Sequence, residues 1–416
     1  MGHASEALAD KHQNWWHLSS IQLAGGVISL PFILIGFQVF SIHGTTAATL
    51  YIIFANLIGL IISYFFVIMS ESKRLNAVEN IKQFTGSLAG RLAAFFILVD
   101  TIGWIALGLF DGQKYLQNYE IFSGFSIALI TGAAGSLVLL GGIKGLKKIS
   151  VSTIIPLIVF ASFIISSVMT KTTTLGIPPK TENHFFGVSG ISIVLASSIA
   201  AIIDYPTFFR HSQSRKNSVI ALLLVFLFTS LIQIAGVFLF KELNNENSII
   251  KLLVSDKYIS FVLIMFLIVS MITTTSWNAY AASVGWESLF PVFKDKTEYA
   301  VIGLVVAVIL GVPQIEQFIL SITILVNSVL SALGGVIVFQ FINKTGKIFP
   351  RNHLNKKNDK IWNNFSWFFS SIIGMLSFFD IFTLKIDATI ATLVFGFLFS
   401  LLADQTRQIY GWLVNR

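Results

Sequence analysis

Cysteine is absent from the chain, so disulfides and thiolate metal sites are excluded. Charge is scarce as well. Only 12% of the 416 residues are Asp, Glu, Lys or Arg, where a soluble domain has about a quarter. With 55% hydrophobic residues and a mean hydropathy of +0.79, this scarcity marks an all-α integral membrane protein. Paired metal-ligand histidines are lacking too. His3, His12, His17, His43, His184, His211 and His353 fall near termini or in loops, and none share a metal-ligand spacing. A membrane-embedded enzyme needs a base and a nucleophile within reach. The intramembrane residues offer only isolated carboxylates, so no enzyme activity is expected. Neither a repeated filter nor a charged ring marks a channel.

Runs of about 20 apolar residues predict twelve membrane spans, near 18–40, 46–69, 88–110, 121–141, 149–169, 187–209, 218–240, 258–288, 298–312, 316–342, 361–380 and 387–404. The first run begins too late and is too long for a cleaved signal peptide. Basic charge alternates between loops. With the N-terminus inside, cytoplasmic segments hold 21 of the 28 Lys and Arg; Lys114, Lys171, Lys180, Lys241, Lys251, Lys257 and Lys385 lie outside. This excess follows the positive-inside rule. It predicts a multi-pass protein of the inner (cytoplasmic) membrane with both termini cytoplasmic. The net charge of +8 then reflects topology and contact with anionic lipid. No nucleic-acid partner is expected.

The most polar stretch within a span lies in the eighth. Thr273, Thr274, Thr275, Ser276 and Asn278 place five polar side chains in six residues at bilayer depth. Lipid does not satisfy such groups. Serine and threonine often bond across helices or back to their own backbone, but so dense a cluster reads as part of a binding site. The first span carries Leu23 to Pro31, L-A-G-G-V-I-S-L-P, whose glycines and proline weaken the helical ladder. This is either a kink or a discontinuous helix whose freed carbonyls bind a cation. The sixth span is interrupted at Ala196, Ser197 and Ser198 and carries Asp204 and Pro206 further on. Interruptions five spans apart point to inverted five-helix repeats, spans 1–5 (14–170) and 6–10 (187–343), with spans 1 and 6 broken. Two scaffold helices (361–405) complete a single transport domain, 1–416. In the third span Asp100 and Trp104 share one helical face. An intramembrane carboxylate is either functional or a structural hydrogen-bonding group. Between the second and third spans, Leu75, Val78, Ile81 and Phe84 predict a short amphipathic helix on the cytoplasmic face.

Four stretches keep a common order across nearly the whole chain: I-G-W at 102–104, I-I-D-Y-P-T-F-F-R at 202–210 with S-R-K after it, T-T-S-W-N-A-Y-A-A-S at 274–283, and G-G-V-I-V at 334–338. Together they resemble the nucleobase–cation symporter family that includes bacterial cytosine permeases, members of the leucine-transporter fold. The resemblance implies import of a nucleobase or related planar heterocycle, coupled to sodium or protons. No other cofactor is implied, and a monomer in the bilayer is expected to suffice. A proton-coupled amino-acid or amine transporter on the same fold is the alternative. By the same resemblance Trp104 stacks on the substrate and Ser197 faces it. With Asp100, included for its own intramembrane position, the expected substrate set is Asp100, Trp104, Gly108, Leu195, Ser197, Ser198 and Ser276. The hydroxyls of Thr274 and Thr275, with carbonyls of Ala24, Val27 and Met271, form the implied sodium site. Oxygen ligands suit a hard cation. Leu195 stands where the cytosine permeases place a second aromatic, Met271 replaces an asparagine, and Ser276 and Trp277 replace an Asn-Asp pair. Asp100 has no acidic counterpart there. These departures favour a heterocycle other than cytosine, one bearing positive charge included.

Overall fold

The computed structural model describes residues 13–116, 124–172, 189–243, 257–292, 298, 305, 316–344, 356–379 and 388–414. Among these the chain is helical, with one isolated β-bridge between Gln13 and Ser212. Eleven of the twelve predicted spans fall on helices. The ninth, 298–312, lies outside the described residues save for two positions. Among the described residues, eight helical segments are long and apolar enough to cross a membrane.

Helix α1 (Trp15–Gln22) starts where the Asn14 side chain accepts a hydrogen bond from the His17 backbone N–H, satisfying one of the first-turn donors. It widens into a π-helical turn, Leu23–Val27, and the chain is extended at Ser29 (φ −144°, ψ 160°) before α2 (Leu30–Lys73) begins. The predicted weak ladder is therefore a true break. Residue 31 is proline, so the Val27 carbonyl lacks the N–H that an unbroken helix would bring to it. The Ile28 N–H goes to the Leu23 carbonyl at 2.8 Å and not to that of Ala24, its α-helical partner. Helix α2 carries the rest of the first span and all of the second. It turns between them at Gly44 (φ 73°, ψ 175°), where a side chain would be strained.

A capping box between Asn76 and Glu79 opens α3 (Ala77–Thr85). Its Val78, Ile81 and Phe84 are buried against α4 (Ser87–Leu116), α8 (Ile199–Phe209) and α12 (Lys356–Phe378). The amphipathic face that the sequence assigns to the membrane interface is thus covered by protein, and Asn363 Nδ2 donates to the Phe84 carbonyl at 2.8 Å. Helices α5 (Gly124–Leu139) and α6 (Gly142–Thr172) follow. The sixth span is divided into α7 (Ser189–Ala196) and α8 (Ile199–Phe209) by a turn at Ser197 and Ser198.

Helix α9 (Arg215–Leu243) runs along α2. A Cβ placed at Gly36 would lie 1.9 Å from the Gln233 carbonyl oxygen, and one at Gly236 would lie 2.1 Å from that of Ile33. Without a strong hydrophobic drive between helices in lipid, such close backbone approach supplies the packing. Helix α10 (Lys257–Leu289) packs on α4, α5, α6 and the π turn, so the polar stretch of the eighth span is interior. Helices α11 (Glu316–Lys344) and α13 (Ala388–Val414) repeat the device, Gly335 meeting the Leu393 carbonyl and Gly396 that of Ala332. Helix α12 (Lys356–Phe378) lies beside them and exposes Ile361, Phe365, Phe368 and Phe369.

The Gln13 N–H donates to the His211 carbonyl at 3.1 Å, and the Gln213 N–H donates to Gln13 at 2.9 Å. Arg74 Nη2 reaches the Ser212 carbonyl at 3.4 Å. The start of α1, the end of α2 and the α8–α9 turn therefore meet at one end of the molecule. The alternation of basic charge assigns all three to the same side.

Candidate functional site

Both breaks open onto one cavity, with about 1080 Å³ of empty space when its mouth is included. The first break contributes Gly25, Gly26, Val27 and Ser29, the second Ser197 and Ser198. Helix α4 adds Asp100, Trp104 and Gly108, and α8 adds Asp204 and Tyr205. Helix α10 presents Ser270, Met271, Thr274, Trp277 and Asn278, whose spacing is one helical face.

The five-residue polar cluster divides by direction. Thr273, Ser276 and Asn278 donate back to carbonyls of their own helix, at 3.0, 2.7 and 3.1 Å. The Thr274 hydroxyl is buried at the cavity without a partner. Ser276 is 0% exposed and, with Thr275, faces α5: an added Cβ on Gly135 would lie 3.1 Å from Thr275 Cγ2 and 3.5 Å from Ser276 Oγ. Ser276 is therefore not part of the cavity wall. Nor is Leu195, which packs in the hydrophobic core. Among the residues expected to hold sodium, Val27, Met271 and Thr274 line the cavity, while Ala24 and Thr275 are buried beside it.

At the second break the serine hydroxyls satisfy carbonyls at the end of α7. Ser197 Oγ donates to Val194 at 2.7 Å, and Ser198 Oγ lies 3.2 Å from the same oxygen. With their hydrogens committed, both oxygens are acceptors toward the cavity. At the first break the ring of Trp277 fills the space left by Gly25: a Cβ there would come within 2.3 Å of its Cδ1. The other face of that ring stacks on Phe208, centroids 4.8 Å apart and planes at 12°. Gly26 and Gly108 differ, since a Cβ at either meets nothing within 4 Å. They widen the cavity.

Two carboxyl groups stand in this largely apolar chamber. Asp100 is 3% exposed, and its Oδ1 has no hydrogen-bond partner. Asn327 of α11 and Trp104 are the side chains that hydrogen-bond to the group. Asp204 is 2% exposed, accepts from Thr207 Oγ1 at 2.6 Å through Oδ1, and leaves Oδ2 unpartnered. Arg210 acts on it by charge, as does Asp100. The sequence showed Asp204 only as a mark of a compromised span; its place in the same cavity wall as Asp100 depends on how α8 packs on α4 and α11. Trp277 and Asn278 were also legible only in part: they lie three and four residues beyond Thr274, on the same face.

No family model and no curated protein matches the sequence. Solved structures do. The chain superposes on Mhp1, a nucleobase-cation-symport-1 family transporter in a closed conformation with bromovinylhydantoin bound, with a TM-score of 0.68 and 14% identity, over 96% of this chain and 94% of that one. It has the leucine-transporter fold. A Na+-coupled sialic acid symporter in a substrate-bound outward-open state gives a TM-score of 0.64 and 15% identity, covering 94% of this chain and 89% of that one. The manganese transporter of Eremococcus coleocola, in complex with an aromatic bis-isothiourea compound, gives 0.59 and 11%, over 94% and 92%. Ligands this unlike are held on one fold, so ligand choice rests with side chains and not with the fold.

Proposed function

We propose that the chain is a secondary active transporter that imports a nucleobase or related planar heterocycle, coupled to sodium or protons by alternating access. The observation that carries this is the convergence of Trp104, two broken helices and unpartnered polar groups on one cavity. A flat ring lies against the indole face, and its N–H groups donate to the oxygens of Ser197 and Ser198. Gly26 and Gly108 leave the ring room. A functional monomer in the inner membrane is part of this reading. Residues 14–170 and 187–343 act as the two repeats that rock about the site, and 361–405 as scaffold. The basic-charge pattern places both termini in the cytoplasm.

A sodium site fits beside the first break. Ala24 and Val27 have carbonyls released from the α-helical pattern, Thr274 has an unpartnered hydroxyl, and Thr275 and the Met271 carbonyl stand next to it on α10. These are neutral oxygen donors of the kind a hard cation takes. Ser276 and Leu195 do not belong to the proposed substrate set. Uptake of labelled cytosine, uracil, adenine and hypoxanthine into proteoliposomes, under imposed sodium or pH gradients, tests the function. Uptake competed by amino acids but not by heterocycles would move the protein to the amino-acid class.

A further inference from the structure

We propose that Asp100 is a reversible proton-binding site of the transport cycle. The transport reading supplies only its role in coupling; proton binding stands on the side chains themselves.

The two carboxyl groups are not equivalent. Asp204 has a cation, Arg210, six residues further along the chain, which acts on it by charge. That guanidinium is itself held, its Nε donating to the Thr207 carbonyl at 3.3 Å, while Thr207 Oγ1 donates to Asp204. The Thr207 oxygen also accepts the Ala77 backbone N–H at 3.4 Å, which ties the group to the start of α3. Asp204 is thus tied by hydrogen bonds to the end of α8 and the start of α3. Asp100 has no such cation. Asn327 and Trp104 are neutral, and the remaining charge in reach is that of Asp204, which repels.

Other titratable or charged groups do not reach it among the described residues. The face of α10 toward the cavity is Ser270, Met271, Thr274, Trp277 and Asn278, and α5 contains no ionisable residue. From α8 come Asp204, Tyr205 and, past its end, Arg210. Lys82 of α3 meets α4 at Gly90, ten residues and about 15 Å along the helix from Asp100. An ionised carboxylate removed from water and left without a counter-charge is costly. Asp100 is relieved of that cost by a proton, and a proton is exchangeable only where the group opens on a path to water. Its position in the cavity wall supplies the path.

The test needs no knowledge of the substrate. Infrared titration of the purified protein follows the carbonyl stretch of a buried carboxylic acid as it converts to carboxylate. Wild type is expected to show this conversion, Asp100→Asn to lose the component that Asp204→Asn keeps, and Asp100→Glu to restore that component at a different midpoint. Asp204→Asn should keep the band but move its midpoint by roughly tenfold in proton concentration, since a neighbouring like charge has been removed. A spectrum unchanged by Asp100→Asn, or no such band in wild type at any pH where the protein is folded, overturns the proposal. If Asp100→Asn does not fold, Asp100→Glu decides: a band at the wild-type midpoint counts against it. Failure of every heterocycle in the uptake assay would leave this result standing, so the two claims fail separately.

Discussion

Replacing Gly25 by alanine tests how the first break is held open. The added Cβ would lie 2.3 Å from Trp277 Cδ1, 2.5 Å from Cγ and 2.7 Å from Cβ. All three are inside the distance that real contacts reach. Rotating the ring away does not remove the clash, because the Trp277 Cβ, anchored to α10, is part of it. Nor is the ring free to swing, since its other face is stacked on the fully buried Phe208. The π turn and α10 must therefore separate locally or the stack must break. Overpacking of this kind costs about 1–3 kcal/mol, and a lost aromatic pair about 0.5–1.5 kcal/mol. Chemical or thermal unfolding of the detergent-purified protein should show Gly25→Ala destabilised by about 2 kcal/mol. The same substitution in a Trp277→Ala background should cost less, because the contacts to Cδ1 and Cγ are gone and only the 2.7 Å contact to Cβ remains. That leaves a coupling of about 1–3 kcal/mol between the two sites. If Gly25→Ala is as stable as wild type, or equally harmful with and without Trp277, the close packing assigned to the break is wrong.

Further outcomes follow from the same cavity. Gly108→Ala places a methyl in open space, so stability should stay within about 0.5 kcal/mol of wild type, while apparent affinity for the larger of two bound heterocycles falls more than for the smaller in competition uptake. Trp104→Ala should weaken heterocycle binding by a few-fold to about tenfold, the loss of one aromatic stacking partner worth about 0.5–1.5 kcal/mol, measured by ligand-induced thermal shift. Thr274→Ala and Thr275→Ala each remove one oxygen and should raise the sodium concentration for half-maximal uptake without lowering protein abundance; an unchanged sodium curve would exclude that site. A cysteine introduced at His353 in this cysteine-free chain should react with an impermeant maleimide only after the cytoplasmic face is exposed, and labelling from outside intact cells would reverse the proposed topology.

The sequence by itself determined the class, the helices and the two places where helices fail. Lipid permits almost no compromise over backbone hydrogen bonds, so apolar runs fix the spans. Proline at 31 and the small residues at 196–198 show locally where the ladder cannot close. The position of Asp100 and Trp104 on one face of the third span was legible for the same reason, since helical periodicity needs no tertiary information. Direction within the eighth span was not legible. Five polar groups within six residues point to every side of a helix, and only the packing of α4, α5 and the π turn around α10 decides which meet the cavity. Hence Thr274 and Asn278 line it, and Ser276 turns to α5. Leu195 likewise lies one turn before a break, yet the way α7 docks sends it into the core. The pairing of Asp204 with Asp100 brings together residues more than a hundred positions apart, and only the tertiary structure joins them. Local sequence sets which backbone bonds are available, while long-range packing sets which side chains share a space.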